Sequence, residues 1–204
     1  TETYDSAIVE EAVRFHFDAL ELARFIRAGQ KIVVKPNLIM KRDPGDAVTT
    51  HPALVEAVIR RLQAMGVQDI TIAESPGGPY VVPLLQSLYQ TCGMTEVAQR
   101  TGAVLNFDTS SRQLDGNGQV TRHFTVIHPI ADADLIINIC KLKTHCMTVL
   151  SGAVKNLFGC IPGLMKPELH MRYPEKEDFC RMLLDLSAAL PPVISFVDAV
   201  EAME

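Results

Sequence analysis

The feature that most constrains this chain lies between residues 31 and 73. Two short runs of apolar, β-favouring residues, Lys31–Lys35 (KIVVK) and Asp69–Ala73 (DITIA), bracket a stretch with helical periodicity. Continuous apolar runs of this length suit strands buried on both faces, the kind found in parallel sheets. The stretch between them offers Thr50 as a helix N-cap, Pro52 in the first turn, and Met65 followed by Gly66 as a C-cap. Strand, helix and strand in such close succession make a βαβ unit, so the two strands are expected to be parallel.

The same alternation continues along the chain. Residues 6–28 carry apolar positions at helical spacing, with Gly29 as the stop. Pro36 to Thr50 reads as a loop and Ser75–Pro79 (SPGGP) as a turn. One or two helices are expected between Val81 and Thr101, then a short strand at Val104–Phe107. Asp115–Gly118 (DGNG) is a hairpin turn signal, with Gln119–His128 as the second arm. Asp134–Cys140 reads as a buried strand, and a helix is expected from Thr148 or Ser151 to Phe158–Gly159. Cys160 to Pro174 reads as a Gly/Pro loop, Glu175–Leu190 as an amphipathic helix and Val193–Val197 as a last strand. The pattern predicts one α/β domain over residues 1–204. It is a doubly wound, mostly parallel sheet with helices on both faces and a β-hairpin insertion near 109–130.

Composition excludes several alternatives. Apolar residues are 48% and charged residues 21%, with 12 Gly and 12 Pro, which is globular and neither collagenous nor coiled-coil. At 204 residues the chain can bury roughly 70% of its unfolded surface without disulfide staples. The five cysteines, Cys92, Cys140, Cys146, Cys160 and Cys180, form no CxxC pair, which argues for free thiols in a reducing compartment and a cytoplasmic location. No apolar run is long enough to span a membrane, and residues 1–12 are acidic and unlike a signal peptide. A net charge of −5 argues against nucleic-acid binding.

Charge is unevenly placed. From Leu135 to Pro167 there is no Asp or Glu, whereas Lys141, Lys143, Lys155 and Lys166 fall there, giving +4 and leaving −9 for the rest of the chain. A basic stretch in an acidic chain points to a local anion site. In open parallel sheets ligands sit beyond the carboxyl ends of the strands. The residues expected at those ends are Lys35 and Asn37, then Glu74, then Asp108, then Lys141, Lys143 and His145, and finally Asp198. Lys141, Lys143 and His145 alternate, so a continuing strand would turn all three to one side. Such a cluster needs negative charge between its members, either from a protein carboxylate (Glu74 or Asp198) or from a bound phosphate or carboxylate. Ser151 is a candidate cap for a helix opening at Gly152. That glycine would admit an anion to the backbone, and Lys155 and Asn156 lie one turn in. Thr49, Thr50 and His51 offer a second such helix start. Glu74 and His145 are the candidate proton carriers.

A metal-dependent alternative would draw on His51, Glu74, His145, His170 and Asp198, although the surrounding ammonium groups disfavour a cation. GxxxxGK[ST], HExxH and GxSxG are absent, and the cysteine spacing matches neither zinc nor ferredoxin sites.

The segments VKPNL (34–38), TTHP (49–52), ESPG (74–77), DLIINICKLKTH (134–145), SGAVKNLFG (151–159) and DAVEAME (198–204) together resemble the DUF362 family, a domain of unknown function. The resemblance implies a bacterial or archaeal protein of a family often described as iron–sulfur cluster-binding. Many members carry a ferredoxin-like stretch with two cysteine runs, which this chain lacks. A 4Fe–4S cluster therefore carries over to no residue here, and a ferredoxin-like module or redox partner would have to supply it. The family pattern runs on past Glu204 with a Gly-rich segment, so a C-terminal continuation is expected. The resemblance names no reaction. The residues favour an enzyme that binds a small anionic metabolite, its reaction linked to a redox module, over an electron-transfer accessory.

Overall fold

The computed structural model describes residues 2–203; Thr1, and Glu204 with the family pattern's end, lie outside them. In chain order the elements are α1 (Ser6–Ala19), β1 (Lys31–Pro36), α2 (Pro52–Ala64), β2 (Asp69–Ile72), α3 (Val82–Thr91), α4 (Met94–Thr101), β3 (Val104–Leu105), β4 (Ser111–Asp115) and β5 (His123–Ile127). Then follow α5 (His128–Ala131), β6 (Leu135–His145), β7 (Val149–Ser151), α6 (Ala153–Asn156), α7 (Met165–Arg172), α8 (Lys176–Ala189) and β8 (Val193–Met203).

The main sheet runs β3-β2-β1-β6, and β8 lies parallel to β6 on its other side. From β1 the chain winds outward to β2 and β3, then returns to place β6 beside β1 and β8 beyond it. The order therefore reverses between β1 and β6, and ligands of doubly wound sheets bind at that switch point. β7 folds back antiparallel on the last residues of β6. Lys143 pairs with β7 on one side and with Met203 of β8 on the other, so β7 occupies the β1 side just past the end of β1.

Helices cover both faces. β1 from Ile32 and β6 through Lys141 are buried at every position, as expected for strands sandwiched between layers. On one face Phe17 of α1 stacks on Phe196 of β8, ring centroids 5.3 Å apart. On the other, Asn138 of β6 reaches Ala153 of α6 and Ser195 of β8. The apolar core joins Val9, Val13 and Phe17 of α1 to Val58 and Leu62 of α2 and to Ile32, Ile72 and Ile137 of the sheet. Each such side chain contributes about 1.5–3 kcal/mol relative to exposure. No helix among the described residues is long and apolar enough to cross a membrane.

Several elements depart from the sequence reading for identifiable reasons. The first helix stops at Ala19 instead of running to Gly29. The buried positions 9, 13 and 17 would continue to 20 or 21, but Leu22 and Ile26 are the residues that go inside. Glu21, with φ 50°, shifts the phase, and a 3-10 turn follows at Leu22–Arg24. The hairpin forms a separate two-stranded sheet, β4 with β5, but its second strand begins at His123, not Gln119. The intervening backbone N–H groups of Gln119, Val120 and Thr121 donate to the Asp185 carboxylate on α8 instead of to a partner strand. β6 runs on to His145, and β8 to Met203, well past the expected ends. The loop expected from Cys160 to Pro174 contains α7.

Candidate functional site: a lysine-lined cavity at the switch point

A cavity of about 300 Å³ opens beyond the carboxyl ends of β1, β2 and β6. A volume of this size suits a small metabolite. Asn37, just past the end of β1, lines the cavity, while Lys35 of β1 lies beneath it against Glu74. The chain just past β2 delivers Glu74 and Ser75. β6 delivers Lys143 and His145, and the β7–α6 segment delivers Ser151, Lys155 and Asn156. The start of α7 closes the far wall with Lys166 and His170.

Three buried asparagines frame the site. Asn37 donates from Nδ2 to Asn156 Oδ1 (2.9 Å), and Asn156 donates from Nδ2 to Asn138 Oδ1 (2.8 Å). Asn138 in turn donates to the Ala153 carbonyl and to Ser195 Oγ. This chain of amides ties β1, β6, β8 and α6 together, and buried amides stay there only because each finds partners. It also aims Lys143, whose Nζ donates to Asn37 Oδ1 and to the Val48 carbonyl, both at 3.0 Å.

Beneath the cavity lies a buried ion pair. Lys35 Nζ donates to Glu74 Oε2 at 2.5 Å, with both side chains almost fully enclosed. Gly159 closes over this pair. A Cβ there would collide with Glu74 Oε1 and Lys35 Nζ, so only glycine fits without displacing it. Gly163 packs in the same way against the carbonyls of Pro76 and Gly78.

The other cations are differently placed. Lys166 donates to the carbonyls of Ser75 and Pro76 and has no carboxylate among the described residues. Lys155 lies over the rings of Phe158 (4.8 Å) and Phe179 (5.9 Å), and no hydrogen-bond acceptor among the described residues meets its Nζ. Burial, then the charges of Lys143 and Lys35, push the Lys155 ammonium down to about 8. Burial pushes Lys166 to about 8 as well and outweighs the opposing pull of Glu74. Lys143 is lowered by burial too. His145 accepts at Nδ1 from the backbone N–H groups of Met147 (3.1 Å) and Thr148 (3.2 Å). Its ring is thus the neutral form with the proton on Nε2, consistent with a pKa lowered by burial and then by Lys155. Ser75 Oγ lines the cavity, buried and with no hydrogen-bond partner among the described residues. The site is an excess of buried positive charge and free donors around one carboxylate that is already paired.

Lys141 goes elsewhere. The register pairs Lys35 with Asn138, so Lys141, three residues further along β6, belongs to the opposite face. The strand irregularity between Lys141 and Lys143 parts these neighbours. Lys141 Nζ lies 3.3 Å from Asp198 Oδ2 and donates to the Tyr4 hydroxyl, which itself donates to Asp198 Oδ1 (both 2.7 Å). Tyr4 stacks on His51, centroids 3.7 Å apart. Lys141, Lys143 and His145 therefore do not form one row.

The two expected helix-start cradles are also occupied differently. The N-cap of α2 is His51, not Thr50. His51 Nδ1 accepts from Ala53 N–H, and the His51 N–H donates to Asp198. The Thr50 hydroxyl is consumed within the fold, donating to the Ile139 carbonyl and accepting from Asn37 N–H. Ser151 belongs to β7, and Gly152 precedes an α6 of only four residues with no side-chain cap. The candidate metal ligands are split as well, with His51 and Asp198 on one face and Glu74, His145 and His170 at the cavity on the other. Among the described residues no three His, Cys, Asp or Glu side chains converge to hold a metal ion. Cys92, Cys140 and Cys160 are buried apart in the core, with Cys146 exposed and Cys180 half-buried, so the thiols present do not fit an iron–sulfur cluster.

Lys166 had a sequence signal in the acid-free stretch and Ser75 one at the end of the Asp69–Ala73 strand, but the aromatic bed of Phe158 and Phe179 had none. Tyr4 sits far from any motif and meets Lys141 only through the tertiary fold.

Comparison with known proteins fits this architecture. The model of the family described as Domain of unknown function (DUF362) matches residues 32–204. A thylakoid-associated protein of Synechocystis is 29% identical over the whole of this chain, which spans 62% of that relative's length. Two solved structures share the fold. One is a protein from Thermotoga maritima, with TM-score 0.56, 12% identity, and coverage of 94% of this chain and 51% of that one. The other is the lactate racemase apoprotein from Thermoanaerobacterium thermosaccharolyticum, with TM-score 0.57, 14% identity, and coverage of 93% and 48%.

Proposed function

We propose that the cavity of this chain, which belongs to the DUF362 family, binds a small anionic metabolite, a phosphate or a carboxylate, and that the protein converts it. The observation that carries this reading is a set of three ammonium groups, Lys143, Lys155 and Lys166, lining one cavity whose carboxylate, Glu74, is committed to a fourth lysine. Buried charge is costly unless something opposes it, and here the protein supplies almost nothing. A ligand anion would relieve that cost.

Lys143 and Lys166 each use two of their three N–H donors on the protein. The third of each is available to an anion, fixed in direction by the first two. Ser75 Oγ and His145 Nε2 add neutral donors. Glu74, held by Lys35 at the cavity floor, would take a proton from a bound substrate and give it back, and the Nε2–H of His145 would hydrogen-bond the substrate.

Titration calorimetry with inorganic phosphate and with small carboxylic acids tests the reading. The wild-type protein should bind at least one of them, and a K143M/K166M variant that keeps its circular dichroism spectrum should bind at least tenfold more weakly. Unchanged affinity in that variant, or no binding of any such anion, would contradict it.

A further inference from the structure

Lys155 differs from the other cavity lysines. Lys35 has Glu74, Lys143 has an amide and a carbonyl, and Lys166 has two carbonyls. Among the described residues Lys155 meets only aromatic faces, and the charges that weigh on it most are those of Lys143 and Lys35, ahead of the opposing pull of Cys146 and Glu74. An ammonium group in such a place is the one most readily released as a neutral amine, and a desolvated amine beside other cations is the setting that activates lysine as a nucleophile.

The geometry points to Lys155 as an imine-forming lysine for a small oxo acid, with the acid's carboxylate held by Lys143 and Lys166 and its carbonyl carbon presented to Lys155 Nζ. This deepens the anion-binding reading and rests on it. The substrate class follows from the layout. The anion must be short, because the cavity measures about 300 Å³. It must also carry an electrophile next to its charge, because Lys155 shares one cavity with the lysines that would hold that charge.

The step balances without an added reagent. The Lys155 amine attacks the carbonyl carbon, one C–N bond forms, and the carbonyl π electrons move to oxygen, which takes a proton. The carbinolamine then loses that oxygen as water. Counted from the ammonium form, R–NH3⁺ and O=C give R–NH⁺=C and H2O, with both protons of the water drawn from the nitrogen. Glu74 would take a proton from the nitrogen and hand it to the departing oxygen, with the Nε2–H of neutral His145 available as a hydrogen-bond donor. The depressed Lys155 value, about 8, leaves a usable fraction of neutral amine near neutral pH.

Reductive trapping tests the inference on the unaltered chain. The protein is incubated with pyruvate or glyoxylate, then with sodium borohydride, and the peptides are mapped by mass spectrometry. Calorimetry with the same acids is run in parallel without reductant. The expected result is one adduct per chain, located on Lys155, suppressed by excess inorganic phosphate and lost in K155R, which keeps the positive charge. Binding without an adduct, or an adduct spread over surface lysines or fixed on another residue, overturns the imine while leaving the anion site standing. No binding of either acid or of phosphate overturns both.

Discussion

Lys141 and Lys143 stand two residues apart on β6 and meet different partners. Lys143 is held by neutral groups and keeps a donor for the cavity. Lys141 is enclosed with Asp198 and Tyr4 and faces no ligand space on the cavity side. Burial, then the Asp198 carboxylate, raises the Tyr4 phenol, so it stays protonated and bridges the pair. Removing one member of a buried ion pair leaves its partner charged and uncompensated, at a cost of about 3–5 kcal/mol. Lys141→Met should therefore lower the urea-derived stability by that order while changing phosphate affinity little. K141M/D198N should lose less than the sum of its single variants. A large affinity loss with full stability would instead return Lys141 to the binding site. At this scale the sequence was informative about which residue types gather at the sheet edge but not about their partners. The i, i+2 spacing of the lysines implied one face, and a strand irregularity with an N-terminal tyrosine, neither visible as a pattern, divided them.

Strands buried on both faces were legible because their apolar runs have no competing reading. β1 and β2 stand close to where hydrophobic continuity placed them, as does the start of β6. The end of β6 was not legible. Charged residues normally mark a strand's exit to solvent, but Lys141 is enclosed with Asp198, and Lys143 is held by an amide and a carbonyl at the cavity wall. The hairpin erred in the same way. Its second arm reads as alternating, but Asp185 on α8 captures three backbone N–H groups that would otherwise extend the ladder. Burial alone would raise the Asp185 carboxyl, and the three N–H groups outweigh it and leave it below its ordinary value. A lowered folded-state pKa means that the contribution is fully present above the unfolded carboxyl value and is lost as pH falls through the folded one. D185N should therefore be less stable than wild type at pH 6, by about 1–3 kcal/mol, and the gap should narrow under acid. Urea midpoints at the two pH values measure it, and a gap independent of pH would deny the carboxylate its role.

For the molecule as a whole, the winding order decides where chemistry can occur. The reversal between β1 and β6 leaves a crevice at their carboxyl ends, and the acid-free stretch from 135 to 167 returns through β6, β7 and α6 to line it. Without ligand, that crevice should be a cost to the fold. Lys155 and Lys166 titrate at about 8, well under the ordinary lysine value, when the chain is folded. Between those two values the unfolded chain binds more protons, so stability should rise as pH climbs from about 8 toward 10. Added phosphate should reverse the trend, stabilising most below pH 8, where both ammonium groups are charged. Thermal melts with and without phosphate across this range would reveal it, and parallel curves would speak against the cavity as the anion's location.

The most direct measurement is a crystal structure of the protein grown with selenate, located by its anomalous signal. A selenium peak is expected inside the cavity, within hydrogen-bonding distance of the Lys143, Lys155 and Lys166 ammonium groups. Selenate bound elsewhere with the cavity holding none, at a concentration that saturates binding in solution, would contradict it.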